Sequence, residues 1–338
     1  MRALDDLVHA RWSRRQTVGG LAAAAMLPLL GRGGLRSVAA QASVTLTLVA
    51  YSTPREAYEA LIPLFQATPE GANIQFETSF GASGEQSRAV EGGLPADIVA
   101  LSLEPDITRL IEPGLVAADW NADEYHGMVT NSVVALAVRP GNPKGITGWD
   151  SLLEEGVEVI TPNPLTSGGA KWNIMAAWGA QLAQGKTEEE ATEYLRQLFT
   201  HIPVQDKSAR ESLATFVGGK GDVLLAYENE AITAQQKGEA LEYVVPDQTI
   251  LIENPIAIVT ESAHPEEAAK FIAFLRTPDA QKVFGEKGYR PVVAEVLATF
   301  DFPTPADLFT IADQGGWTEV NAKFFDPNSG LVAQVQQR

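Results

Sequence analysis

The sequence contains no cysteine. Disulfides, thiolate catalysis and a lipidated cysteine are therefore excluded. Histidine is also scarce, since only His126, His201 and His264 follow the N-terminal segment. None of the three stands in a nucleophile-elbow motif or at the spacing of a metal-ligand signature. These shortages argue against an enzyme and predict a protein without a cofactor or a metal.

The first 42 residues have the order of a secretory leader. Ser13-Arg14-Arg15-Gln16 precedes an apolar run over 18–30, and Ala40-Gln41-Ala42 has the small-x-small pattern of a cleavage site. This order predicts a twin-arginine signal peptide over 1–42 and an exported, periplasmic or extracytoplasmic protein. A basic arm on a cytosolic protein is the weaker alternative. No later apolar run is long enough to span a bilayer.

Positive charge is in short supply. The chain has 25 Lys and Arg against 43 Asp and Glu, a net charge of −18. The predicted leader carries six arginines and two aspartates, so the mature chain would have a net charge of −22. Nucleic acids and anionic membranes are bound largely through Lys and Arg. Neither is expected as a partner.

Short apolar runs alternate with helical patterns along the mature chain, which predicts an α/β fold. The predicted strands include VTLTLVA, DIVALS, SVVALAV, VEVI, DVLLA and ILIENPIAIV. No linker or repeat interrupts them, so two lobes joined by crossing strands near 128–133 and 253–257 are expected. The first lobe is predicted to contain 43–130 plus 256–338, and the second 131–255.

Four predicted helices begin with small or hydroxyl residues. The stretches are Ser52-Thr53-Pro54, Gly81-Ala82-Ser83-Gly84, Ser167-Gly168-Gly169 and Ser208-Ala209. The first N–H groups of a helix lack internal partners and carry partial positive charge. Each start alone is better explained as an ordinary turn or N-cap, because Ser, Thr and Gly are preferred there for structural reasons. Together, at the ends of strands, they favour a polyatomic anion as ligand.

The chain resembles the periplasmic sulfate/thiosulfate-binding proteins of ABC importers. The resemblance rests on stretches such as GASGEQSRAVEGGLPADIVALS, VITPNPLTSGGAKWNIMAAWG, GDVLLAYENEA and GGWTEVNAKFF, which follow in order from about Val44 to Lys323. It implies a hinged, two-lobed, type II-like periplasmic-binding-protein fold with the anion in the cleft between the lobes. It also implies a monomer that delivers its ligand to a membrane permease.

The resemblance further implies which residues bind the anion through uncharged donors. The matching positions are Ser52, Ser83, Ser167, Gly168, Gly169, Ala209 and Tyr227. Ser83 would offer its amide and hydroxyl, Ser167 its hydroxyl, and the glycines and Ala209 their amides. The chain departs from the family pattern at Tyr227, where Trp is usual, at Ser52, where Asp is common, and at Lys171, where Arg is common.

Alternative ligands and classes remain open from the sequence. Thiosulfate is as acceptable as sulfate, and molybdate or tungstate has a similar donor requirement. An exported hydrolase that uses Ser83 or Ser167 as nucleophile is the alternative outside the binding class, although no histidine stands in a matching motif.

Overall fold

The computed structural model describes residues 43–336, and the predicted signal peptide lies outside them. The expected α/β class is confirmed. The strands are β1 Val44–Tyr51, β2 Ile74–Gly81, β3 Ile98–Ala100, β4 Met128–Val138, β5 Val159–Pro162, β6 Val204–Asp206, β7 Val223–Tyr227, β8 Glu242–Val244, β9 Gln248–Ile258, β10 Arg290–Pro291 and β11 Asp307–Phe309. The α-helices are α1 Arg55–Gln66, α2 Ser83–Glu91, α3 Glu104–Thr108, α4 Gly168–Ala183, α5 Glu188–Thr200, α6 Ala209–Val217, α7 Glu228–Gln236, α8 Pro265–Leu275, α9 Pro278–Glu286, α10 Ala294–Leu297, α11 Gly316–Val320 and α12 Leu331–Gln336.

The strands form one sheet with two parallel groups at its ends. Its order is β2-β1-β3-β9-β4-β7-β5-β6. Strands β2, β1 and β3 are parallel to one another, and so are β7, β5 and β6. The long strands β4 and β9 pair antiparallel between the two groups. They include the two segments that were expected to cross between lobes.

The local sequence of α1 and of β7 explains why these segments form a helix and a strand. Helix α1 turns Ala57, Tyr58, Leu61 and Phe65 inward, the three- and four-residue spacing of one helix face. Strand β7, which lies between β4 and β5, is buried at every position, as expected of an inner strand covered on both faces. Full burial of each large apolar side chain stabilises the fold by about 1.5–3 kcal/mol.

The C-terminal elements pack onto the β4–β7 side of the molecule. Trp317 packs edge to face against Trp172 of α4, with 4.8 Å between the ring centroids, and Phe324 packs against Trp178 with 5.0 Å between the ring centroids. Strand β11 pairs with the first residues of β9. The lobe division stays a prediction, but this packing favours grouping 307–336 with 131–255 rather than with 256–306.

Within residues 43–336, none of the helices is both long and apolar enough to cross a membrane.

Candidate functional site

The predicted binding residues gather at the carboxyl ends of the parallel strands. Ser52 follows β1, Ser83 follows β2, and Tyr227 is the last residue of β7. Ala209 follows β6, and the Ser167-Gly168-Gly169 turn follows β5. The two parallel groups run in opposite directions, because β9 and β4 are antiparallel to each other and to β3 and β7, respectively, so their carboxyl ends face each other where β4 and β9 pair. In open α/β folds, ligands bind outside the carboxyl ends of the strands.

Helix α4 begins without the negative charge that other helix starts carry. Its first turn contains no acidic residue. The first turns of the other described helices of eight or more residues all contain one or more, in α1, α2, α5, α6, α7, α8 and α9. Acidic side chains in the first turn neutralise the positive end of the helix dipole. The start of α4 keeps that partial positive charge for another anion.

Ser167 occupies the N-cap position of α4 but does not cap the helix. Its side chain makes no hydrogen bond to the first turn, although Ser167 is buried. The hydroxyls of Thr187 and Ser208, at the N-caps of α5 and α6, each accept a bond from the amide three residues on. The Ser167 amide is engaged, because it donates to the carbonyl of Asn163 at 2.9 Å. The Ser167 hydroxyl is therefore the group available to a ligand.

The two glycines of this turn stand in different surroundings. A Cβ on Gly168 would lie 2.7 Å from Ser102 Oγ, closer than real Cβ contacts, so glycine is required there. A Cβ on Gly169 would lie 3.4 Å from Ser167 Oγ and 3.6 Å from both Ala209 Cβ and Tyr227 Cε1. The structure thus brings Ser167, Gly169, Ala209 and Tyr227 together around one point.

Ser83 uses its hydroxyl inside the protein. The hydroxyl donates to Asp106 Oδ2 at 2.6 Å and accepts from the Ser102 amide at 2.9 Å. The expected hydroxyl contribution of Ser83 is therefore already engaged, and its amide at the start of α2 is the donor that remains. Burial raises the pKa of Asp106, and the Ser83 hydrogen bond opposes that rise.

Tyr227 shares a hydrogen bond with a residue that the sequence did not identify. Its hydroxyl lies 2.6 Å from Ser102 Oγ, and either oxygen can be the donor. One proton joins the two oxygens, so the pair has one proton left for a ligand. Burial raises the pKa of Tyr227 further above its usual value, so the phenol stays protonated.

Ser102 is held from both sides of the molecule. Its carbonyl accepts Trp172 Nε1 of α4 at 2.9 Å and Asn254 Nδ2 of β9 at 3.0 Å. The signal that could have identified it is its position, because it is a hydroxyl residue just after the parallel strand β3.

Arg210 ties the Ser52 loop to the start of α6. Its Nη2 donates to the Ser52 carbonyl at 3.3 Å, and its guanidinium makes a bidentate pair with Glu56 of α1 at 2.5 and 2.6 Å. Partial burial would raise the pKa of Glu56, but hydrogen bonds from Arg210 and Lys237 hold it at about 2. The pair links the Ser52 loop to the start of α6, next to Ala209.

The donors that meet here are neutral, and such an arrangement suits a fully ionised oxyanion. Fixed dipoles can replace the hydration shell of an anion when they are oriented in advance. In the part of the chain that the structure describes, no group of three or more His, Asp or Glu side chains could hold a metal ion.

Comparison with known proteins identifies the family. Residues 46–290 match the profile of the family described as bacterial extracellular solute-binding protein. The sulfate-binding proteins of Synechococcus elongatus and Escherichia coli are 41% and 36% identical to this chain, over 96% and 87% of it and over 97% and 94% of their own lengths. The chain belongs to the sulfate/thiosulfate-binding family. A thiosulfate-binding protein of this family from Pseudomonas aeruginosa is 33% identical over 91% of the chain and 96% of its own length.

Solved structures agree with the family. The sulfate-binding protein SubI from Mycobacterium tuberculosis superposes with a TM-score of 0.82 at 46% identity, and the match covers 84% of this chain and all of SubI. Iron-bound HitA from Pseudomonas aeruginosa matches with a TM-score of 0.62 at 21% identity, which shows the fold alone. The expected two-lobed periplasmic-binding-protein fold is confirmed.

Membership in the sulfate/thiosulfate-binding family also decides the class. The relatives named above are binding proteins, which confirms the expected receptor over an exported hydrolase. The matching family is described as extracellular and solute-binding, which makes this an exported, extracytoplasmic protein.

Proposed function

We propose that this protein captures sulfate or thiosulfate outside the cytoplasm and delivers it to the permease of an ABC importer. The carrying observation is the start of α4. A buried serine stands at its N-cap without capping it, two glycines follow, and no acidic residue occupies its first turn. A merely structural N-cap would place the hydroxyl on the helix, as Ser208 does.

The proposed ligand shell consists of neutral donors that follow the two parallel groups of strands. The Ser167 hydroxyl and the amides of Gly168, Gly169 and Ala209 come from the β5–β7 side. The amides of Ser52 and Ser83 come from the β1–β3 side. The remaining proton of the Tyr227–Ser102 pair completes the set. The lobe that contains 43–130 and the lobe that contains 131–255 would then close on the anion, as hinged periplasmic receptors do.

Selectivity follows from protons. Sulfate carries none at neutral pH, whereas hydrogen phosphate has one that needs an acceptor. In a shell of donors that proton stays unpaired, at a cost of about 1–3 kcal/mol. The Tyr227–Ser102 pair can offer an oxygen lone pair, so we expect the discrimination against phosphate to lie at the lower end of this range.

Molybdate and tungstate are not favoured. The relatives at 33–41% identity bind sulfate or thiosulfate by name. The resemblance to a putative molybdenum transporter domain has 20% identity and a TM-score of 0.51, so it speaks for the fold alone.

The remaining features of the proposed receptor follow from composition. With a net charge of −22 after removal of a twin-arginine leader, it would avoid nucleic acid and act as a monomer. Without cysteine it would carry no lipid at the cleavage site.

Isothermal titration of the mature protein with sulfate, thiosulfate, molybdate and phosphate in one buffer tests the proposal. We expect one saturable site that prefers sulfate or thiosulfate. Absence of saturable binding of either, or a preference for molybdate, would overturn it. Radii of gyration from small-angle scattering, with and without saturating sulfate, test closure, since a closing receptor becomes more compact.

A further inference from the structure

Beside the proposed site lies a cavity of about 260 Å³ with a different chemistry. It is lined by Gly84, Asp106 and Gly168, and by three cationic side chains, Arg88, Arg109 and Lys171. Ser167 also lines it, so the cavity opens next to the inner donors. In a chain with 43 acidic and 25 basic residues, a cavity with three cations and one carboxylate is unusual.

Among the described residues, the three cationic side chains do not form ion pairs with the carboxylate of Asp106, which lines the same cavity. Asp106 is buried and accepts the Ser83 hydroxyl at 2.6 Å. Among residues 43–336, none of the three cations lies within ion-pair distance of Asp106. Lys171 donates to the neutral amide oxygen of Asn321 at 3.0 Å and lies 5.0 Å from the ring of Phe325.

The two arginines stand at the rim of the cavity. Both are exposed, and Arg109 makes a long ion pair with Glu91 at 3.7 Å. Arg88 folds back towards Gly84, where its Nη1 lies 3.3 Å from the position of an added Cβ. An added side chain at Gly84 would therefore crowd the guanidinium of Arg88. Within the described part of the chain, the guanidinium of Arg88 forms neither a hydrogen bond nor an ion pair.

We propose that Arg88, Arg109 and Lys171 form an outer site that attracts a small dianionic oxyanion before it enters the inner shell of neutral donors. Within the cavity lining, three positive charges against the one carboxylate of Asp106 leave two, which is opposite and equal to the charge of sulfate or thiosulfate. The inference rests on the proposed function and adds a step to it. A cavity of one sign of charge raises the local concentration of an opposite ion and its association rate, even on a protein of unfavourable net charge.

The two sites divide the work of capture. The inner donors are uncharged and act at contact, so they determine affinity and selectivity. The outer cations act over about a Debye length, 30 Å at 0.01 M and 8 Å at physiological salt, so they determine the rate of encounter.

Stopped-flow tryptophan fluorescence tests the outer site, because Trp172 donates to Ser102 beside the inner donors. Sulfate association and dissociation rates would be measured for the parent and for the double variant Arg88→Gln/Arg109→Gln at ~10 mM and at 0.5 M ionic strength. We expect the association rate at low salt to fall about tenfold, the difference to vanish at high salt, and the dissociation rate to be unchanged. Arg88→Glu should slow association further than Arg88→Gln.

Arg196→Gln is the matched control. Arg196 is similarly exposed, 39% against 42% for Arg109, and pairs with Glu193 at 3.4 Å, but it lies on α5 away from the cavity. An equal loss in this control, or an unchanged association rate in the double variant at low salt, would overturn the outer site. Failure of the receptor proposal looks different, because the parent itself would then bind no sulfate.

Discussion

Helices α4 and α6 begin with the same kind of residue and use it differently. Ser208 turns its hydroxyl onto α6, where it accepts the Glu211 amide at 3.3 Å. Ser167 makes no such bond to α4. The first turn of α6 contains an acidic residue, and that of α4 does not. A serine at a helix start is thus a cap or a binding group according to where its hydroxyl points. Two predictions test that distinction at the start of α4, and two concern the groups around it.

The largest effect is expected from a carboxylate at the start of α4. Gly169→Asp should weaken sulfate binding more than about a hundredfold, because like charges about 4 Å apart repel by about 4 kcal/mol near a protein surface. Gly169 is chosen over Gly168 because an added Cβ meets only ordinary contacts there. Titration calorimetry measures the loss, and thermal unfolding checks the fold.

Gly148→Asp is the control for charge, since an added Cβ at Gly148 meets no atom within 4 Å. If Gly169→Asp kept its affinity within a few-fold of the parent, the α4 start would be an ordinary turn, where Asp is favourable.

A pair of serine variants separates binding from capping. Ser167→Ala should lose about 1.5–3 kcal/mol of sulfate binding, or roughly ten- to a hundredfold in affinity, with unfolding free energy within about 0.5 kcal/mol of the parent. Ser208→Ala should lose about 1 kcal/mol of stability and much less affinity. Calorimetry and urea unfolding of both variants decide the matter, and the reversed pattern would make Ser167 the cap.

The Tyr227–Ser102 pair should act as one donor. Tyr227→Phe and Ser102→Ala are each expected to weaken sulfate binding about tenfold, because each breaks the hydrogen bond that orients the remaining donor towards the charged ligand. In the single variants the surviving hydroxyl is released to turn to the anion. In a double-mutant cycle, the double variant should therefore lose more sulfate affinity than the product of the two single losses. A harmless Tyr227→Phe would remove the phenol from the site.

The smallest effect concerns the start of α7, which carries buried acids where α4 has none. Burial raises the pKa of Glu230 to about 7, although Arg210 opposes the rise. Between pH 4.5 and 7 the folded state keeps a proton that the unfolded state releases, so Glu230 lowers stability as pH rises through this range. Glu230→Gln should gain roughly 1 kcal/mol over the parent on going from pH 5 to pH 8, since relaxation around the buried charge reduces the full cost.

Urea unfolding at both pH values measures this gain. Glu266→Gln, at an exposed position in the first turn of α8, is the control and should keep the pH dependence of the parent. An identical pH dependence for Glu230→Gln and the parent would contradict the prediction.

Much of the fold could be predicted because its signals are local. Apolar runs marked β1, β4, β7 and β9, and helical spacing marked α1 and α4. The packing of 307–336 could not be predicted, because the contacts of Trp317 and Phe324 with α4 join residues over a hundred positions apart.

The sequence by itself determined the family and the α/β class. It also determined the shortage of Lys and Arg for binding nucleic acid, and the small residues at the helix starts. Tertiary structure alone decided which hydroxyls are free. The Ser83 hydroxyl is engaged by Asp106, and Tyr227 is joined to Ser102, because these partners reach them from distant strands and helices. A hydroxyl has one proton to donate, and only its surroundings in three dimensions settle whether the protein or the ligand receives it.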